Sequence, residues 1–197
     1  MRKHRPGAFS VPVRDLIGRP GEMRETQFDA TLAAVWGEGL VSIPAGESVH
    51  VDVRLESVHE GILASATART RSEGECSRCL IEITAPVEVE FQELFAYPGQ
   101  EADDFEVQDD HVDLETPVRD AIVLSLPFQP VCRPDCPGLD PITGARLADL
   151  PDAEPHQNVD PRWAALMEFA SEPAQGADDS APDSQVSQER RKNSHGR

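Results

Sequence analysis

Residues 49–68 read VHVDVRLESVHEGILASATA, and their period decides the fold class. Val49, Val51, Val53 and Leu55 alternate with His50, Asp52, Arg54 and Glu56, the period of two expected of a strand with one buried and one wet face. After a turn at Glu60-Gly61 the alternation resumes with Ile62, Ala64, Ala66 and Ala68, which predicts a hairpin. Val87, Val89 and Phe91 alternate with Glu88, Glu90 and Gln92 in a third strand. Residues 28–35 and 40–43 are weaker strand segments. The second strand is expected to end near Thr70 and the third to start near Ile81. This is mainly antiparallel β-sheet, either an open sheet or a partial barrel.

Downstream the period changes. Thr116 reads as a helix cap and Pro117 as its first residue, where a missing N–H costs nothing. Val118, Ala121, Ile122, Ser125 and Leu126 then share one face, and Pro127 stops the run. Asp160 and Pro161 open a second, short helix whose stripe is Trp163, Leu166, Met167 and Ala170. The fold class is therefore α+β, with one helix packed on the sheet and a short helix near the C-terminus. From Ser171 to Arg197 the chain has almost no apolar residues and reads as a disordered polar tail. The expected organisation is a single domain over 1–170 followed by the tail 171–197. Within the domain lie a basic lead-in, 1–24, and an acidic stretch, 101–115.

The 197 residues carry 36 acids against 18 bases, a net −18, and the imbalance is uneven. The lead-in is at +4, residues 25–170 at −21 and the remainder at −1. A body of that charge repels polyanions at long range and suits a basic partner. Eight acids and no base fall within 101–115, which reads as a solvated loop. Asp103, Asp104, Asp109 and Asp110 are its candidates for contact with a basic partner. No apolar run approaches the roughly 18 residues of a membrane span. Nor does an apolar segment follow the basic start, so no secretory signal is read and the cytoplasm is the expected address.

Four cysteines form two pairs, Cys76-Ser-Arg-Cys79 and Cys132-Arg-Pro-Asp-Cys136. Such spacings let both sulfurs of a pair reach one ion from a tight turn, and four thiolates complete a tetrahedral Zn²⁺ shell. Sulfur ligands exclude Mg²⁺ and Ca²⁺. A shared ion would tie the exit of the first helix to a sheet turn, as scaffold rather than catalyst. Two other readings stand beside it: four thiols without metal, and a redox pair at Cys76 and Cys79. The redox reading is opposed by the extended segment that follows the pair, where a thioredoxin-type motif opens a helix. The six histidines are scattered, and GxSxG, HExxH, P-loop and GxGxxG patterns are all missing from the chain. No enzyme and no small-molecule substrate is expected.

Glu75-Cys76-Ser77-Arg78-Cys79-Leu80, following a β-hairpin, resembles the C-x-R-C-L element of the large ribosomal RNA subunit accumulation proteins, the YceD family. Asp113-Leu114, Asp120, Ile122, Leu124, Leu126-Pro127 and Pro130-x-Cys132 resemble that family's acidic helix, its Leu-Pro-x-x-Pro sequence and the cysteine after it. Asp160-Pro161-Arg162-Trp163-Ala164-Ala165-Leu166 is similar to its D-P-R-x-A-x-L helix. The three elements span roughly 70–170 in the family's order. Where many members carry a further cysteine pair, this chain has Asp140 and Thr143, so a metal must use Cys76, Cys79, Cys132 and Cys136, or borrow Asp140 or a histidine. The resemblance implies a non-enzymatic factor in large-subunit biogenesis that supports 23S rRNA and associates with 23S rRNA or a large-subunit precursor. Arg69, Arg71, Arg78 and Arg133 are the candidates for RNA contact, since guanidinium groups pair phosphates and stack on unpaired bases. An alternative is an acidic chaperone for a basic ribosomal protein; a further one is a thiol-disulfide oxidoreductase.

Overall fold

A computed structural model describes residues 7–99 and 105–150, together with the single position Arg162. All the elements below lie in the compact unit Met1–Pro155; of the second unit, His156–Arg197, only Arg162 is described. The expected helix from Asp160, the tail from Ser171, and Asp103 and Asp104 fall outside the described residues.

The predicted hairpin is β4, Ser48–Ser57, and β5, Gly61–Glu75, preceded by β1, Ser10–Pro12, β2, Met23–Thr31, and β3, Val41–Ser42. Its register sets Val51 opposite Ala68, Val53 opposite Ala66 and Leu55 opposite Ala64, so the alternating apolar positions land on one face. β2 pairs with the outer edge of β4, and β6, Glu82–Ala96, runs antiparallel along the whole of β5. β3 continues the β4 side of β5, with Val41 opposite Gly74 and Ser42 opposite Glu73. The result is an open five-stranded antiparallel sheet with no closure into a barrel. A separate two-stranded ladder joins β1 to β7, His111–Asp113.

The second strand runs to Glu75 rather than ending near Thr70. Thr70–Glu75 is polar, but β6 on one side and β3 on the other satisfy its backbone groups, so its polarity marks an exposed face and not a loop. The lead-in is likewise built into the fold: Phe9, Val11, Val13 and Leu16 are buried with the sheet's apolar face, and Phe9 meets Trp36 at 5.5 Å between ring centroids.

The acidic stretch is not an unstructured loop over its described part. Phe105 packs on Phe95, Val107, Val112 and Leu114 are buried, and Gln108 bridges His111 around Asp109-Asp110. Both turn residues have positive φ, 48° and 64°, the geometry of a two-residue hairpin turn that aspartate tolerates. The charges sit on the outside of a hairpin whose apolar positions reach the core.

The helix α1 is Glu115–Ser125, so it starts one residue before the expected cap. Asp113 Oδ1, not Thr116, accepts the first free N–H, from Glu115 at 3.0 Å. Pro117 still lies in the first turn, where no partner is lost. Val118 and Ile122 are fully buried, Ala121 and Leu126 half-buried, and Ser125 exposed. Asp113→Ala is expected to cost about 1 kcal/mol, the usual net worth of one such hydrogen bond, read as a lowered urea midpoint at unchanged slope. A midpoint equal to wild type would show that the carboxylate contributes nothing.

Candidate metal centre

β5 delivers Cys76 directly into a tight turn. Its N–H donates to Ile81 O at 2.8 Å, and the Leu80 N–H donates back to Cys76 O at 2.9 Å. Leu80 sits at φ 58°, a left-handed conformation costing roughly 1 kcal/mol for a residue with a Cβ. This reversal brings Cys79 back beside Cys76. After α1 the chain passes Pro127 and Pro130, and the Ser77 N–H donates to Pro130 O at 2.8 Å, fastening that loop to the turn. Arg78 adds two bonds from Nη1, to Pro134 O at 3.2 Å and Cys136 O at 3.1 Å. Gly138, at φ 84°, lies against the Arg78 carbonyl, where a side chain would be both strained and crowded.

The four sulfurs converge. Cys76 Sγ lies 3.9 Å from Cys136 Sγ and Cys79 Sγ 3.7 Å from Cys132 Sγ, and all four are within 4.8 Å of one another. The edge of a tetrahedron with metal–sulfur bonds near 2.3 Å is about 3.8 Å, so these separations fit one ion at the centre. They are far longer than the roughly 2 Å of a disulfide, and all four cysteines are free. Cys76, Cys79 and Cys136 are buried with Ile81, Ile83 and Leu139 packed round them, whereas Cys132 is the exposed member.

Burial would push the Cys76 thiol up, but the N–H groups of Cys132, Cys79 and Arg78 point at its sulfur and hold it down at about 6. Burial and the neighbouring sulfurs of Cys136, Cys79 and Cys76 push Cys132 up to about 12. The Ile81 N–H pulls Cys79 down, yet burial and the sulfurs of Cys76 and Cys136 outweigh it and raise that thiol. The Cys76 thiolate therefore forms readily, while Cys79 and Cys132 resist a further charge at close range. A shared cation removes that penalty. Four sulfur donors leave such an ion no open position, which is the chemistry of a scaffold.

Neither Asp140 nor a histidine is drawn in: among the described residues the cluster is made of cysteine alone. Asp140 is buried, and its Oδ1 accepts from Ile142 N at 3.0 Å, Thr143 N at 2.7 Å and Thr143 Oγ1 at 2.9 Å. At the two positions where the resemblance set cysteines, carboxylate and hydroxyl hold the turn by hydrogen bonds.

The arginines divide. Arg78 is committed to the second cysteine loop, and Arg133 pairs with Asp135 at 3.4 Å. Arg69 lies on the wet face of the sheet between Asp52, at 2.5 Å, and Glu88, at 3.3 Å. Arg71, on the same face of β5, is exposed and has no ion pair among the described residues. Of the acidic candidates, Asp110 approaches Arg14 at 3.9 Å, and Asp109 shares its tight turn. What sequence reasoning missed is apolar and exposed: Leu124 on α1, 85%, and Phe128, 92%, which lines a concavity with Ser77 and Arg78. Leu124 lies off the buried stripe of α1, which is the one signal that could have marked it.

The sequence model of the large ribosomal RNA subunit accumulation proteins, YceD, matches residues 64–170. The chain belongs to the YceD family. The matched span takes in most of β5, all of β6 and α1, and both cysteine pairs. Relatives extend the likeness beyond it: an uncharacterized protein of Mycobacterium tuberculosis is 41% identical over 175 residues, 85% of this chain and 84% of that protein. One of Mycobacterium leprae is 38% identical, over 85% of this chain and 80% of the relative. The uncharacterized protein YlbN of Bacillus subtilis is 33% identical over 98 residues, 46% of this chain and 56% of that one. No solved structure matches. Among the described residues no helix is long and apolar enough to cross a membrane.

Proposed function

We propose that this YceD-family protein is a non-enzymatic factor of large ribosomal subunit biogenesis. It acts in the cytoplasm and supports the accumulation or processing of 23S rRNA by associating with that RNA or with a large-subunit precursor. The family match carries this reading. One structural Zn²⁺ held by Cys76, Cys79, Cys132 and Cys136 clamps the β5–β6 turn to the loop after α1, and sulfur distances near those of a tetrahedral shell support it. The burial of three of the four thiols, two of them in the turn between β5 and β6, favours ligation over thiol-disulfide exchange. Direct RNA contact centres on Arg71, the arginine candidate without an ion pair among the described residues.

Depletion of the protein in its own cells tests the reading. The ratio of 23S to 16S rRNA is expected to fall about twofold or more, with 23S precursors accumulating, and wild-type protein should restore it. A ratio unmoved by full depletion would overturn the proposal. Complementation by Arg71→Glu then isolates RNA contact, because that substitution touches neither the sulfurs nor the core.

A further inference from the structure

The four thiols of the cluster are unequally guarded. Cys76, Cys79 and Cys136 are 0%, 5% and 5% exposed, packed against Ile81, Ile83 and Leu139. Backbone N–H groups guard two of them further by drawing charge off the sulfur: those of Cys132, Cys79 and Arg78 point at Cys76, and that of Ile81 at Cys79. Cys136 is anchored through its carbonyl, which accepts from Arg78 Nη1 at 3.1 Å. Cys132 is the exposed member, in a run from Val131 to Asp135 that is exposed throughout. The Cys79 sulfur stands 3.7 Å from it, across the clamp. An accessible thiolate with a second sulfur poised beside it is the arrangement of a cysteine that oxidises reversibly.

We propose that Cys132 is a site of oxidation by hydrogen peroxide, resolved by Cys79 into a disulfide that takes the place of the metal. The inference rests on the zinc clamp proposed above. Peroxide is small enough to reach Cys132 from its open side while the sulfur is still ligated. The Cys132 thiolate attacks one peroxide oxygen, the O–O bond breaks, hydroxide leaves and a sulfenic acid forms. The Cys79 thiolate then attacks the Cys132 sulfur, the S–O bond breaks, a second hydroxide leaves and an S–S bond closes. Two thiolates have lost two electrons, and one peroxide has become two hydroxides. Closure brings the sulfurs from 3.7 Å to about 2 Å, a movement the exposed Cys132 loop can supply. Cys76 and Cys136 then remain, too few sulfurs for a tetrahedral shell, and the ion is released. The new bond joins the same two segments, the β5–β6 turn and the loop after α1, and the main core is a separate cluster. The chain therefore keeps its fold while it loses its metal, and a thiol reductant reverses the change.

The test treats the full chain, loaded with zinc, with one equivalent of hydrogen peroxide. A chromogenic chelator counts released metal against an untreated control, and mass spectrometry of the alkylated, unreduced protein maps the disulfide. The expected result is one Zn²⁺ released per disulfide, a Cys79–Cys132 linkage and an unchanged circular dichroism spectrum. Dithiothreitol with added zinc should restore the metal. Cys132→His keeps a ligand at that position and should slow peroxide-driven release at least tenfold. Cys79→His should instead leave the Cys132 sulfenic acid unresolved, trapped by dimedone at that residue alone. Where a variant takes up no metal, the wild-type disulfide map decides by itself. Any other pairing, first oxidation at Cys76, Cys79 or Cys136, or metal retained through the treatment would each overturn the inference and leave the clamp standing. A chain that holds no zinc as isolated or after reconstitution removes the clamp itself, and the inference with it.

Discussion

Cys76→Ser is expected to abolish metal binding, taking the content from about one Zn²⁺ per chain to a trace, and to lower the Tm by roughly 10 °C. Cys76 is fully buried, its sulfur receives the Cys132 N–H at 3.4 Å, and it lies 3.9 Å from Cys136. Serine at this position leaves three sulfurs and a hydroxyl that stays protonated at neutral pH. The penalty has a ceiling. Structural zinc in small finger peptides contributes about 10–16 kcal/mol because nothing else holds them folded. Here the sulfurs and their apolar neighbours form a cluster separate from the main core, so the sheet persists and the loss is confined to the turn and the loop it clamps. A loss of about 3–4 kcal/mol at about 2–4 °C per kcal/mol for a chain of this size gives the stated shift. Metal analysis and calorimetry on the same sample check it. Wild-type protein should also expose its thiols to alkylation only after a chelator is added. A variant that keeps its metal, or that loses it and melts with the wild type, would sink the clamp.

How far the residues alone reached depended on which interaction dominated each segment. The β4–β5 hairpin was legible because Val49 to Ala68 has one wet and one dry face, and period two records that directly. The cysteine cluster was legible because sulfur at those spacings has few other uses. Thr70–Glu75 was not, since its strand state comes from neighbours on both edges, and pairing leaves no mark in side-chain polarity. The turn at Asp109-Asp110 was hidden by its charge: half-buried Phe105 and buried Val107, then buried Val112 and Leu114, carried the hairpin pattern while eight acids argued for a loop. The exposure of Phe128 was least legible of all. Phe128 after Pro127 is visible as a letter, but only the fold shows that it stands 92% exposed among the described residues.

Gly74→Ala is the second large effect, expected to destabilise by about 2–3 kcal/mol and to loosen the centre without touching a ligand. β5 passes β3 so closely at this point that a Cβ on residue 74 would overlap the Leu40 carbonyl oxygen and stand 2.9 Å from Val41 Cγ2. The obstruction is backbone, which cannot rotate away as a side chain can, so β3 must move outward. That movement breaks the Glu75 N–H bond to Leu40 O, made one residue before Cys76. Overpacking of this kind typically costs about 1–3 kcal/mol, and the lost hydrogen bond adds about 1. Gly7→Ala is the matched control, since a Cβ there meets nothing within 4 Å. Urea unfolding of both variants should separate them. The alanine at position 74 should also raise the rate at which a chelator removes the metal, because the strand feeding Cys76 is no longer held on its β3 edge. Equal stability for the two variants would mean that β3 yields freely and that the sheet, not this contact, positions the cysteine turn.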